Sequence, residues 1–321
     1  MRFYALERSG FCLRDLSGDV HVSDKNISFQ NMELTTPYTH MLSNINMDFD
    51  GWESMGDFCN NVVLTAVFQP GTVMSLQDAA YWAPMALWGM DEPVELDGVF
   101  YGPVGYMHPE NVHIAFGTSS RLSLDAFIDG LPVIGKTIFS VKIRNLHTTY
   151  EDLSNIHHPA GIEMKVPDLM RKLSIFDINV DFEGGQQDCV AQVDMETALG
   201  NLALNAQVNF LEDQSNYSMK AQVSSRRFQL EPVWKNGWVT RSAFHLEADA
   251  SGRDMQHLKA DVVGFLTDTY VKGISIEDAH LSAHYTDNRL TAQLEVQDSL
   301  LQLQGNGDVL FSAGDTMLCD V

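Results

Sequence analysis

The stretch from Leu281 to Val296, Leu-Ser-Ala-His-Tyr-Thr-Asp-Asn-Arg-Leu-Thr-Ala-Gln-Leu-Glu-Val, is apolar at every second position until Asp287-Asn288 interrupts it. The alternation resumes at Leu290, passes Ala292, Leu294 and Val296, and returns at Leu301 and Leu303. Beyond Gly305-Asn306-Gly307-Asp308 it continues at Val309 and Phe311. A period of two marks a strand with one wet and one dry face. Asp287-Asn288 and the Gly-Asn-Gly-Asp run are turn formers and are expected to reverse the chain. A one-residue slip would move every apolar side chain to the wet face, so this pattern specifies its own register.

The same pattern spreads outward in both directions. Phe176, Ile178, Val180 and Phe182 precede a Gly184-Gly185 hairpin, and Leu202, Leu204, Ala206, Val208 and Phe210 alternate with polar neighbours. Phe244, Leu246, Ala248 and Ala250 do likewise. Nearer the start, Val20 and Val22, Ile27 and Phe29, Val62 to Phe68 and Val112 to Phe116 repeat the theme. Three short helical turns are expected: Ser75 to Ala83 with Ser75 as cap, Asp125 to Gly130, and Pro167 to Lys172. The expected fold is all-β, an elongated, curled antiparallel meander (a β-taco or solenoid-like groove) with a few short helical turns, because one compact sandwich cannot hold so many strands. Its segments are expected at 1–69, 70–92 (a short apolar helical insertion), 93–170 and 171–321. The strands read as shorter than the roughly 9–11 residues of a membrane-barrel strand, which argues against such a barrel.

Twenty Lys and Arg against 43 Asp and Glu give a formal charge of −23. Such a surface repels phosphate backbones and anionic headgroups, so no nucleic-acid partner is expected. The four cysteines, Cys12, Cys59, Cys189 and Cys319, are far apart and read as free thiols rather than zinc ligands. The N-terminal residues contain neither a signal peptide nor a spanning helix, and the pattern reads as a piece of something longer.

No sequence motif points to catalysis, a metal or a cofactor. His157-His158 cannot place both rings on one strand face, and Gly305-x-Gly307 does not enter a helix. The feature with functional content is the apolar face. Curled lengthwise, it would line a hydrophobic groove; filled by its own side chains, it would be ordinary core. Groove candidates are Val180, Phe182, Leu202, Leu204, Val208, Phe210, Leu246, Leu290, Leu294, Val296, Leu301 and Leu303. Two rivals remain: a secreted structural or adhesion β-protein with a self-filled core, and a carbohydrate module using Trp52, Trp234 and Trp238.

The recurring phrase of short strand, turn, strand and Gly-containing bend resembles the AsmA-like and TamB repeat proteins, in particular the TamB-like translocation and assembly proteins of Bacteroidetes-type bacteria. The residues carrying the likeness are Ser9 to Gly18, Asn31 to Pro37, Val94 to Gly98 and Tyr270 to Gly307. The resemblance implies a non-enzymatic periplasmic bridge, anchored in the inner membrane by a helix absent from this chain. It further implies phospholipid acyl chains as cargo and a role in outer-membrane protein assembly, with a β-barrel partner met by parts not present here.

Overall fold

The computed structural model describes residues 3–6, 12–79, 92–155, 168–210, 216–233, 239–253, 257–299, 301–311 and 317–320. It is all-β, an antiparallel meander with a few short helices, as the alternation predicts. The chain divides into two compact units, Met1–Asn179 and Val180–Val321.

In unit 1, strands β1 (Phe3–Leu6), β2 (Cys12–Val22), β3 (Asn26–Thr35) and β4 (His40–Asp48) pair in sequence. A 3-10 helix at Trp52–Asp57 and helix α1 (Phe58–Asn61) lead to β5 (Val63–Phe68) and the short β6 (Val73–Ser75). Both strands bridge β4 to β7 (Pro93–Gly102). Helix α2 (Leu76–Ala79) follows β6, and the Ser75 hydroxyl accepts the Gln77 N–H at 3.2 Å, as a capping side chain does. The apolar segment after it lies outside the described residues, as do His157-His158, Trp234 and Trp238. Strands β8 (Tyr106–Phe116), β9 (Ser120–Asp129) and β10 (Ile138–Thr149) continue the meander. Helices α3 (Tyr150–Asn155) and α4 (Asp168–Leu173) precede β11 (Ile175–Gly184).

Three expectations need correction. Asp125 to Gly130 is not a helical turn: Ala126 and Ile128 continue the β9 alternation opposite Val141 and Phe139 of β10. The Gly305-Asn306-Gly307-Asp308 run does not bend, as described below. Strand length also departs, since several strands run to 13 or 14 residues, so length carries no argument against barrel strands. Many strands are longer than they look in sequence because they continue through β-bulges where a turn-forming residue sits.

Three bulges in unit 1 share one construction. Asn31, Asn111 and Asn145 all adopt positive φ, near 50°, at or beside register shifts in β3, β8 and β10. Each backbone N–H so displaced from the ladder is taken up by an amide or carboxylate oxygen. The acceptors are Asn44 Oδ1 at 2.8 Å, Asp125 Oδ1 at 2.8 Å and Asn179 Oδ1 at 3.1 Å. Asparagine suits the role because its short polar side chain tolerates the left-handed region. Opposite Asn111 stands Gly98 at φ +139°, where an added Cβ would lie 2.7 Å from Val112 Cα and 2.9 Å from Asn111 O. Gly98→Ala is expected to cost about 1–3 kcal/mol, measured by denaturant unfolding; an unchanged midpoint would contradict this account of the bulge.

Unit 2 is more regular. Strands β12 (Asp188–Thr197), β13 (Gly200–Phe210), β14 (Tyr217–Gln229), β15 (Val239–Gly252) and β16 (Lys259–Val271) pair in order. Strand β16 then pairs with both β17 (Ile274–Ile276) and β18 (Ala279–Thr286). Strands β19 (Arg289–Gln297), β20 (Gln302–Phe311) and β21 (Met317–Asp320) follow. Asp287 and Asn288 form the two-residue turn between β18 and β19, with φ of 51° and 61°, the positive-φ pair that suits a twisted hairpin. Before β20 the Asp298 N–H bonds Leu301 O at 3.0 Å and marks the next reversal. Strand β20 runs straight through Gly305 and Gly307, which lie opposite Leu294 and Ala292.

Candidate functional site

Antiparallel partners face the same side of a sheet, so the register of unit 2 sorts its side chains into rows crossing the strands. One row reads Val193, Leu204, Val223, Leu246, Gly264, Leu281, Leu294 and Gly305. Two residues further along each strand, on the same face, is a row of small side chains: Ala191, Ala206, Ala221, Ala248, Val262, Ala283, Ala292 and Gly307. Beyond it come Cys189, Val208, Met219, Ala250, Ala260, Tyr285 and Leu290. The face is therefore apolar throughout, and a shallow furrow floored by alanine lies between bulkier side chains on β12, β13, β14, β18 and β19, interrupted on β16 where Val262 stands between Gly264 and Ala260. At about 4.8 Å per strand, eight strands carry the apolar face over roughly 34 Å.

This face is only half covered. Nearly all of these side chains are of intermediate exposure, and the buried apolar residues described in unit 2 are Leu199, Phe228, Ala250, Ile276, Ala279 and Val296. Most of the six lie towards one end of the strands. There Ile276, Ala279 and Val296 form a small core with Leu266, Val271 and Leu294 against it. Buried hydroxyls close the same margin, with Ser242 Oγ 2.7 Å from Thr269 Oγ1. Asp298 accepts the Glu277 N–H at 2.9 Å beside them. The remainder of the face is semi-open.

The candidate residues distribute as follows. Leu204, Leu246 and Leu294 share one row, and Val208 and Leu290 share another. Leu202 faces Met195 on the same apolar side. Val296 and Leu303 stand opposite each other, but Val296 is sealed in the small core while Leu303 is 52% exposed. Phe210 lies at the strand end opposite Tyr217 and is 39% exposed. Val180 and Phe182 are half-buried on β11, before the hairpin closed by Gly185 N–H to Asp188 O at 2.8 Å. Leu301 belongs to the reversal rather than to a row and is 38% exposed. The alanine furrow escapes a sequence reading because an alanine is a weak signal and its row depends on pairings across eight strands.

The other chemical features of the chain are structural. His113 Nδ1 lies 2.8 Å from Asp97, His147 Nδ1 2.7 Å from Asp177 and His284 Nδ1 2.7 Å from Asp261. These are cross-strand pairs on exposed positions, each worth about 0–1 kcal/mol. Cys12, Cys59 and Cys189 are free thiols. Among the described residues no three His, Cys, Asp or Glu side chains converge as a metal site, and no helix is long and apolar enough to cross a membrane. In unit 1, the Asp152 carboxylate of α3 sits in a nest of successive N–H groups at the β8–β9 turn. Thr118 donates its N–H and its hydroxyl to Oδ1, both at 2.9 Å. Ser119 and Ser120 each donate N–H and hydroxyl to Oδ2, at 2.7 to 3.2 Å. Burial pushes the carboxyl pKa up, but these donors outweigh it and hold the group well below the usual carboxylate range. With both oxygens occupied and the residue 3% exposed, Asp152 is a strut between elements.

No protein-family model and no curated protein matches this chain.

Proposed function

We propose that this chain is a non-enzymatic segment of a periplasmic bridge, whose unit 2 furrow carries phospholipid acyl chains between membranes and contributes to outer-membrane protein assembly and translocation. The observation that supports this most is the in-register apolar face of eight strands left semi-open along most of its extent. A bare apolar face of that extent is costly in water unless something occupies it. The face is matched to a chain-like ligand, since it extends over eight strands and its rows lack polar anchors. Each buried methylene contributes about 0.8 kcal/mol, so affinity accumulates with length and depends on no single residue. A secreted structural or adhesion protein would instead seal these rows against each other, and the few buried apolar residues of unit 2 weigh against it.

The test is mass spectrometry of an organic extract of the protein purified without detergent from a Gram-negative periplasm. Phospholipid is expected at a substantial fraction of one molecule per chain. An extract with no more lipid than a periplasmic control protein would remove the transport reading.

A further inference from the structure

The opposite, hydrophilic face of unit 2 carries a second groove. It is a depression of about 470 Å³ that crosses five strands, from β12 to β16. One wall is a register row of Gln192, Asn205, Gln222, Glu247 and Val263. The other wall is the row two residues away: Val190, Gln207, Lys220, Asp249 and Asp261. The floor between them is formed at Ala206, Ala221 and Ala248, whose side chains belong to the apolar face. The groove thus runs perpendicular to the strands, and it presents a fresh pair of side chains about every 4.8 Å.

Its chemistry is specific. The charges in it are already engaged: Lys220 Nζ lies 3.8 Å from Asp249, Glu247 accepts from Gln222 Nε2 at 3.3 Å, and His284 Nδ1 lies 2.7 Å from Asp261. Gln192, Asn205 and Gln207 make no side-chain hydrogen bond to other described residues, so their amides keep both donor and acceptor capacity. Two exposed valines, Val190 and Val263, stand at diagonally opposite ends of the groove, 44% and 53% exposed. Amides that both donate and accept suit vicinal hydroxyls, and valine methyls suit the C–H face of a sugar ring. Three carboxylates disfavour a phosphate or sulfate polymer. The strand spacing is close to the rise per unit of an extended β-1,4-linked glycan, which would place one sugar over each strand crossed.

We propose that this groove binds a linear neutral glycan lying across the strands, independently of what the apolar face carries. Isothermal titration of the full chain with cellohexaose and with chitohexaose tests it, with tetralysine as a cationic comparison. Saturable binding of at least one hexasaccharide is expected. The Gln192→Ala/Asn205→Ala double variant should bind at least tenfold more weakly, while Gln293→Ala/Gln304→Ala, on the same face outside the groove, should bind as the parent does. All four positions are exposed, and an unchanged thermal midpoint verifies the fold of each variant. No binding of either hexasaccharide, binding of tetralysine alone, or equal weakening by both double variants would overturn the proposal.

Discussion

Asp152→Ala is expected to destabilise unit 1 by about 3–5 kcal/mol, the largest stability loss of any single substitution considered. The side chain accepts six hydrogen bonds from Thr118, Ser119 and Ser120. Ser120 and Thr148 are themselves buried and joined through their hydroxyls at 2.8 Å. Hydrogen bonds to an ionised acceptor contribute about 1.5–3 kcal/mol each in isolation, and donors left unpaired in a buried turn add a desolvation cost. Such bonds are not additive, so the total falls well below their sum. Gly117, at φ +61°, brings the turn close enough that an added Cβ would lie 2.5 Å from the Asp152 carboxyl carbon. The pH dependence has a definite sign. The folded carboxyl titrates below its ordinary value near 3.8, so its stabilisation is fully present above that pH and is lost as pH falls through and below it. Urea unfolding followed from pH 7 to about pH 2 should show the onset of this loss below about pH 4 in the parent chain and a flatter profile in Asp152→Asn. Equal acid sensitivity in both would contradict the assignment.

The second large effect concerns cargo. Ala221 and Ala248 are direct partners on β14 and β15 in the floor of the furrow, and both are semi-exposed rather than packed beneath a second layer. Replacing both with Phe fills the furrow without forcing a side chain into a closed core, so the fold should tolerate it. An acyl chain would have to lift over the obstruction. Losing contact along even five methylenes removes about 4 kcal/mol, nearly three orders of magnitude in affinity. Lipid co-purifying with Ala221→Phe/Ala248→Phe is therefore expected to fall to background, with the circular dichroism spectrum and thermal midpoint preserved. Parental lipid content in this variant would show that the furrow is not where the chain lies.

Much of the architecture was legible in the period-two pattern, and the misreadings have physical causes. The β18–β19 hairpin follows directly from Tyr285-Thr286-Asp287-Asn288-Arg289-Leu290, because only a two-residue positive-φ turn keeps both apolar sets on one face. Gly305-Asn306-Gly307 carries the same composition as a turn, yet its backbone pairs with Gln293, Leu294 and Ala292; pairing overrides local preference. Asp125 to Gly130 looks helical in isolation, but Phe127 packs edge-on to Tyr106 at 4.6 Å across β8 and β9. The bulges at Asn31 and Asn111 carry no local signal, because the acceptors of their backbone N–H groups lie 13 and 14 residues away. The apolar members of the candidate site were visible one strand at a time. Their rows, the alanine floor and the amide-lined groove behind it were not, because each depends on register across several strands. Asp152 and its nest, more than 30 residues apart in sequence, left no local signal.

The central claim is that the apolar face of unit 2 holds acyl chains. Photocrosslinking amino acids at Leu204 and Leu294, which share a row at widely separated strands, test it most directly when irradiated in living cells. Covalent phospholipid adducts at both positions, with none at the outward-facing Gln293, are the predicted result. Protein that emerges without lipid at either position, or with equal labelling at Gln293, would contradict it.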